Sequence, residues 1–262
     1  MNLGSFYFSK LSHHRDTKNI LITILCDFNF WGDSKLKMLE NINQKFVLEI
    51  LSIFAILGSI FVLQGGGILL SFFLILLIFL FSKNKSEFLQ SIGFKRPENL
   101  SKTVVFSLIF AVILELSSQI ILTPLIENIF QSKLDLSNLD GLKGDFVNYS
   151  IMLVIGWVVG GFLEEIVFRG YLIMRLKKYI GEAKFSLFLI LLIVSIPFGT
   201  SHAYQGISGM ISTGIFAFIF GLVFILKKYN IWLPILTHGF VNMVGITVIY
   251  FDLTDTLNSF LF

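Results

Sequence analysis

Seven long apolar segments decide what this chain can fold into. About 20 apolar residues suffice for an α-helix to span the hydrocarbon core of a bilayer. Hydrophobic residues make up 55% of the chain and charged residues only 14%, against about 45–50% and 25% in soluble domains. The sequence predicts an all-α, polytopic membrane bundle of about seven transmembrane helices, with the lipid bilayer as a partner. The segments lie at about 46–63, 67–81, 103–126, 146–174, 185–202, 210–226 and 231–251.

Four parts are predicted along the chain: a soluble N-terminal tail over 1–45, two transmembrane helices within 46–90, a membrane core over 91–252 and a C-terminal tail over 253–262. Met38 opens a stretch typical of a membrane-protein start, so residues 1–37 are a candidate upstream extension of the mature protein. The single cysteine, Cys26, excludes an intrachain disulfide and a cysteine-based metal cluster. A lipoprotein cleavage site there is disfavoured because its apolar core is too short.

The basic residues predict the topology. Eleven of them lie in the loops after the second, fourth and sixth apolar segments, whereas the opposite loops carry only Lys133 and Lys143. By the positive-inside rule the N-terminus is cytoplasmic, and the C-terminus, with Asp252 and Asp255, lies outside the cell membrane. The net charge of +3 is too small to indicate nucleic-acid binding. The eleven residues are Lys83, Lys85, Lys95, Arg96, Lys102, Arg175, Lys177, Lys178, Lys184, Lys227 and Lys228.

Two acids and an arginine interrupt the fourth apolar segment. Ionisable side chains near the bilayer centre cost roughly 2.5–3.5 kcal/mol, so they indicate a function or a partner. Helical spacing puts Glu165 and Arg169 one turn apart, where they can neutralise each other. Glu164 is turned about 100° away from Glu165 and is free for chemistry. Gly156 and Gly160 form a small-xxx-small pair that lets another helix approach closely.

Two further polar motifs lie in apolar segments, one with His202 and one with His238 and Asn242. A buried carboxylate suits a general base, so Glu164 is the candidate that takes a proton from water. His202 would orient or help to deprotonate that water. His238 and Asn242, which share a helical face, would donate hydrogen bonds to the oxyanion of a tetrahedral intermediate. Counting from the basic loops puts Glu164 and His238 at one depth and His202 deeper.

One glutamate and two histidines are also the ligand types of a catalytic zinc. Glu164, His202 and His238 are therefore candidate metal ligands, and the residue types do not separate this mechanism from the metal-free one. In the third segment, Glu115 and Gln119 fall on one side with Ser118 and are expected to face the protein interior. Glu115 either lines a cavity or bonds a neighbouring helix, and the second is the preferred interpretation.

Together the motifs E-E-x-x-x-R, F-x-x-x-H and H-x-x-x-N resemble those of the CAAX protease and bacteriocin-processing family of intramembrane endopeptidases, also called the CPBP or Abi family. The likeness covers about residues 91–242 and includes Ile-Gly-Phe-Lys-Arg-Pro at 92–97. It implies that 91–252 is a catalytic membrane core with Glu164 as its catalytic glutamate. Glu165 and Arg169 would be supporting residues, and Phe198 a packing residue. Because members of the family are described as metal-dependent and as glutamate-dependent, the resemblance leaves zinc open.

The sequence thus predicts a membrane-embedded peptidase that cleaves a membrane-associated peptide or protein from a cavity open to the cytoplasm. The alternative is a non-catalytic immunity or accessory protein that binds a peptide with the same polar groups. A proton or ion carrier is disfavoured because internal repeats and paired broken helices are missing from the sequence. The oligomeric state does not follow from it.

Overall fold

The fold was analysed in a computed structural model, which describes residues 44–63 and 66–259. The expectations for the N-terminal tail, for residues 1–37 and for Cys26 lie outside the described residues. The chain forms two compact units, Met1–Leu51 and Ser52–Phe262, and only residues 44–51 of the first are described. All the motifs discussed above belong to the second unit.

Every regular element in the described residues is helical, so the predicted all-α class is confirmed. Among the described residues, five helices are long and apolar enough to cross a membrane, and two further apolar helices, Gly67–Phe81 and Lys184–Thr200, have 15 and 17 residues. Each of the seven predicted segments therefore forms a helix, although fewer than seven are full-length spans. The helices are α1 (Gln44–Leu63), α2 (Gly67–Phe81), α3 (Lys85–Ser91), α4 (Leu100–Phe130), α5 (Phe146–Ile180), α6 (Lys184–Thr200), α7 (Gly206–Leu226), α8 (Trp232–Tyr250) and α9 (Thr254–Asn258).

Several helices begin directly after a polar residue whose side chain caps the first turn. Asn84 accepts a hydrogen bond from the backbone N–H of Glu87 at the start of α3, and Asn99 does the same for α4. Asp145 accepts from two backbone N–H groups at the start of α5. These caps satisfy N–H groups that have no partner inside the helix.

Two of the long helices contain π-helical stretches. In α4 the stretch is Ser118–Leu122, and in α5 it covers Gly156–Glu164 and Ile166–Ile173. Ordinary α-helical spacing, which is expected around the acidic motif from the sequence, is not found there. The apolar pattern does not reveal the difference, because a run of apolar residues is compatible with both α-helical and π-helical hydrogen bonding. Such turns occur often at functional sites.

Helix α8 is the centre of the bundle and packs against α4, α5 and α7. Ala111 of α4, Phe220 of α7 and Val241 of α8 form a buried apolar cluster at this junction. Buried polar residues on α8, such as His238, are therefore surrounded by other helices rather than by lipid.

The basic loops meet at one end of the second unit. Lys95 Nζ donates to the carbonyl of Lys228 at 3.1 Å, and Arg175 Nη2 lies 3.4 Å from Ser91 Oγ. At the opposite end, Lys143 forms an ion pair with Asp252. The predicted grouping of the basic loops at one end is confirmed.

Candidate active site

The acidic motif lies on α5 where its two π segments meet. Glu164 ends the first segment, and Glu165 directly precedes the second. Glu165 and Arg169 are both 0% exposed, and Arg169 Nη1 donates to Glu165 Oε1 at 2.8 Å. The predicted ion pair between these two residues is confirmed.

Arg169 also anchors α5 to the neighbouring helices. Its Nη2 donates to the carbonyl of Ala217 on α7 at 3.1 Å. The guanidinium carbon lies 5.1 Å from the ring centroid of Phe198 and 5.3 Å from that of Phe220, close enough for cation–π attraction. Phe198 packs edge-on against Phe168 at 4.8 Å. It thus occupies the packing position that the resemblance implied.

Glu165 has a second partner that the sequence did not reveal. His238 Nδ1 lies 2.8 Å from the same Oε1 atom that binds Arg169. Because a carboxylate accepts hydrogen bonds, Nδ1 carries the proton and donates it to this contact. The other ring nitrogen, Nε2, then lies 3.9 Å from Glu164 Oε2. Glu165 therefore fixes both the orientation of His238 and the nitrogen that is presented to Glu164.

His202 is held in a similar way by the backbone. It lies in the turn after α6, and its Nδ1 is 3.0 Å from the carbonyl oxygen of Phe198 and 3.2 Å from Ser201 Oγ. A carbonyl only accepts, so Nδ1 carries the proton and Nε2 remains as an acceptor in the neutral ring. The imidazole stacks on the Phe198 ring, with centroids 5.0 Å apart.

Asn242 lies where α8 crosses the glycines of α5. Its Nδ2 donates to the carbonyl of Gly156 at 2.8 Å, which uses one of the two amide protons. A Cβ atom on Gly160 would collide with the Asn242 amide, and one on Gly161 would lie 3.0 Å from the Cα of Gly239. The predicted close approach of a helix to Gly156 and Gly160 is confirmed, and that helix is α8.

The four proposed catalytic side chains line one cavity of about 530 Å³. Glu164 keeps 15% of its side-chain surface exposed and His238 keeps 8%, so the site is enclosed by helices but accessible. His202 was expected to lie deeper in the membrane than Glu164 and His238. It nevertheless lines the same cavity, because it belongs to the turn that follows α6. The residues are Glu164, His202, His238 and Asn242.

The loops that line the cavity come from the end opposite to the basic loops. Asn138, between α4 and α5, and Tyr204, between α6 and α7, are exposed and contribute to its wall. Ile249, near the C-terminal end of α8, lines it as well. The sequence predicts an opening toward the basic loops, whereas the lining includes His202 and residues of the loop before α5, which lie toward the other end.

Two acceptor-bearing residues of α4, Glu115 and Gln119, line the same cavity. Glu115 Oε1 accepts from Gln119 Nε2 at 2.9 Å, so its hydrogen bond stays within α4. The preferred interpretation that Glu115 bonds a neighbouring helix is wrong. Their spacing at i and i+4 showed that they share a face, but not that this face lines the cavity.

The candidate zinc ligands do not form a metal-binding group. In residues 44–63 and 66–259, no three histidine, cysteine, aspartate or glutamate side chains come together in an arrangement that could hold a metal ion. Nδ1 of His238 is engaged by Glu165 and Nδ1 of His202 by a backbone carbonyl, so Nε2 is the ring nitrogen that each histidine presents to the cavity. Glu164, His202 and His238 line the same cavity without forming such a group of three ligands.

Comparison with known proteins identifies the segment that carries these side chains. Residues 146–244 match the family model described as type II CAAX prenyl endopeptidase, Rce1-like. No curated protein and no solved structure matched the chain. The match begins at the start of α5 and ends two residues after Asn242, so it contains all three motifs. The resemblance drawn from the motifs is confirmed over this segment, which is similar to the Rce1-like CAAX endopeptidases.

Proposed function

We propose that this chain is an intramembrane endopeptidase that hydrolyses a peptide bond with a glutamate-activated water. The observation that carries the proposal is the arrangement around His238. Glu165 orients its ring through Nδ1, Nε2 faces Glu164, and Glu164 and His238 line a cavity that Asn242 and His202 also line. The match of this segment to the Rce1-like family supports the same activity.

In the proposed reaction, a water molecule lies between Glu164 and His202. Glu164 takes one of its protons, and the hydroxide attacks the carbonyl carbon of the scissile bond. His202 Nε2 is available as an acceptor that holds the water in place, because Nδ1 donates to Phe198. When the tetrahedral intermediate collapses, the C–N bond breaks, and Glu164 passes its proton to the leaving amine.

His238 and Asn242 are proposed to stabilise the oxyanion of this intermediate. The second amide proton of Asn242 remains free for this purpose, since the first is bonded to Gly156. His238 can donate from Nε2 only when the ring carries both protons, because Nδ1 already donates to Glu165. The buried Glu165 carboxylate, which also pairs with Arg169, accepts the hydrogen bond from Nδ1 of that imidazolium. Donors fixed before the reaction are the usual source of such stabilisation.

We further propose that the substrate enters from outside the cell membrane. By the positive-inside rule, the end with the basic loops faces the cytoplasm. The cavity is lined by loops of the other end, with Asn138 and Tyr204 exposed there. The wall is largely apolar, with Phe168, Phe216 and Phe220 among its residues, which suits a hydrophobic or membrane-associated peptide.

Substitution of Glu164 by glutamine tests the activity. The change keeps the shape of the side chain and removes the base, so cleavage of a fluorogenic hydrophobic peptide by purified protein in detergent should be lost while the protein level is kept. Glu98→Gln is a matched control, because it removes an exposed acid before α4 at the other end of the unit. Unchanged biological activity in Glu164→Gln cells would favour the peptide-binding alternative instead.

A further inference from the structure

Glu115 of α4 is a buried acid that the proposed mechanism does not use. Its side chain and that of Gln119 are each 8% exposed, and both line the cavity. Gln119 Nε2 donates to Glu115 Oε1 at 2.9 Å. Gln119 Oε1 is buried and has no hydrogen-bond donor among the described residues. The pair therefore presents acceptors to the cavity and leaves one of them unsatisfied.

No cation of the described residues neutralises Glu115. The buried Arg169 forms its ion pair with Glu165. No lysine, arginine or histidine within the described ranges forms an ion pair with Glu115. A buried carboxylate without a counter-charge is costly, and in a membrane protein it indicates a functional site. Glu115 does not serve to link two helices, because its hydrogen bond is to Gln119 of the same helix, α4.

The backbone around this pair also has the features of a site. The π turn Ser118–Leu122 begins between Glu115 and Gln119, and Ser118 and Thr123 line the cavity beside them. On the facing helix, Gly245 leaves room for the carboxylate: a Cβ atom there would lie 2.9 Å from Glu115 Oε1.

The spacing of residues along helix α8 indicates how far Glu115 and Gln119 lie from the proposed catalytic groups. His238, Asn242 and Gly245 all line the cavity. Gly245 lies about 4.5 Å beyond Asn242 along the helix axis and about 10 Å beyond His238. An extended peptide advances about 3.3 Å per residue. Glu115 therefore lies beside the position of a substrate side chain about two residues from the scissile bond, in the direction of the loops that line the cavity.

We propose that Glu115 and Gln119 form a specificity subsite for a lysine or arginine side chain of the substrate. Such a side chain supplies the positive charge that Glu115 lacks and the donor that Gln119 Oε1 lacks. Its long aliphatic part packs along the apolar wall, and its charged end reaches the two acceptors. This inference rests on the proposed function, since it assigns the substrate class of the same cavity.

Peptide binding to the Glu164→Gln variant tests the subsite without requiring cleavage. The probes are fluorescent alanine- and leucine-rich peptides that carry either lysine or its uncharged analogue norleucine at one position, moved stepwise along the peptide. In one register the lysine peptide should bind at least about tenfold more tightly, as expected for a charge-assisted hydrogen bond. Adding Glu115→Gln should reduce the ratio below about twofold, whereas adding Glu98→Gln should leave it unchanged.

A lysine preference that survives Glu115→Gln, or the lack of any preference in all registers, would overturn the proposal. If Glu115→Gln does not accumulate, Gln119→Leu removes the second acceptor and should weaken the preference, and an unchanged preference would count against the subsite. Loss of the proposed peptidase function is a separate result, because it is measured as the lack of cleavage by the unmodified protein.

Discussion

Glu165 Oε1 lies 2.8 Å from both His238 Nδ1 and Arg169 Nη1, so one carboxylate oxygen joins the buried cation of α5 to the imidazole of α8. The three residues are completely or almost completely buried. The contact makes Glu165 a positioning residue for His238 as well as the partner of Arg169. The two roles predict different effects on stability and on activity, and they can be separated by experiment.

Glu165→Gln should lower both stability and activity. The substitution leaves Arg169 buried without its counter-charge, which costs about 3–5 kcal/mol when one partner of a buried pair is removed. The free energy of unfolding, measured by denaturant titration in detergent micelles, checks the first effect. The rate of peptide cleavage per folded protein checks the second.

The double variant Glu165→Gln/Arg169→Met separates the two roles. Replacing Arg169 removes the unpaired charge, so much of the lost stability should return. Activity should stay low, because no carboxylate is left to orient His238. Recovery of activity together with stability would show that Glu165 acts through Arg169 alone.

Gly160→Ala should reduce cleavage by about a hundredfold, the effect typical of a lost oxyanion donor. The new methyl group would collide with the Asn242 amide and displace it from its place beside the cavity. Gly58→Ala is the matched control: it is also helical, and a Cβ atom there meets nothing within 4 Å. Equal activity of the two variants would argue against a role of Asn242 in the reaction.

Chelation should leave cleavage unchanged, because the described residues offer no group of three metal ligands. The measurement combines zinc analysis of the purified protein with a cleavage assay before and after treatment with a chelator. One zinc per chain, with activity lost on chelation and restored by added zinc, would instead establish the metal-dependent mechanism that the resemblance left open.

The direction of substrate entry can be tested by cysteine labelling. Cys26 is the only cysteine, so Cys26→Ser provides a background without thiols. In that background, a membrane-impermeant maleimide should label Asn138→Cys in intact cells but label Arg96→Cys only after permeabilisation. The reverse pattern would place the cavity mouth on the cytoplasmic side. Labelling at position 138 should also slow cleavage, since Asn138 is part of the cavity wall.

The sequence was sufficient for the parts of the fold that depend on local pattern. Long apolar segments located the seven apolar helices, and basic loops showed which connections share an end. The spacing of four residues predicted the pair of Glu165 and Arg169, because such residues face each other on one helix even where its turns are of the π type.

Contacts between residues far apart in the sequence could not be predicted from local pattern. Residues 165 and 238 are 73 positions apart, and only the packing of α5 on α8 brings them together. The same holds for Glu115, whose place in the cavity wall depends on how α4 meets Gly245 of α8. The loops that line the cavity did not follow from the sequence, because counting residues from the basic loops does not show which loops lie over a space between helices.

The contact of Gly160 with the Asn242 amide has a consequence for recognising related chains. A signature written only with the acids, histidines and asparagine omits the residue whose missing side chain makes room for one of them. In a distant relative that keeps every charged and polar position but carries a larger residue four places before the first glutamate, we expect the amide to be displaced. Such a chain would contain the polar motif but would lack the catalytic activity that depends on the position of the amide.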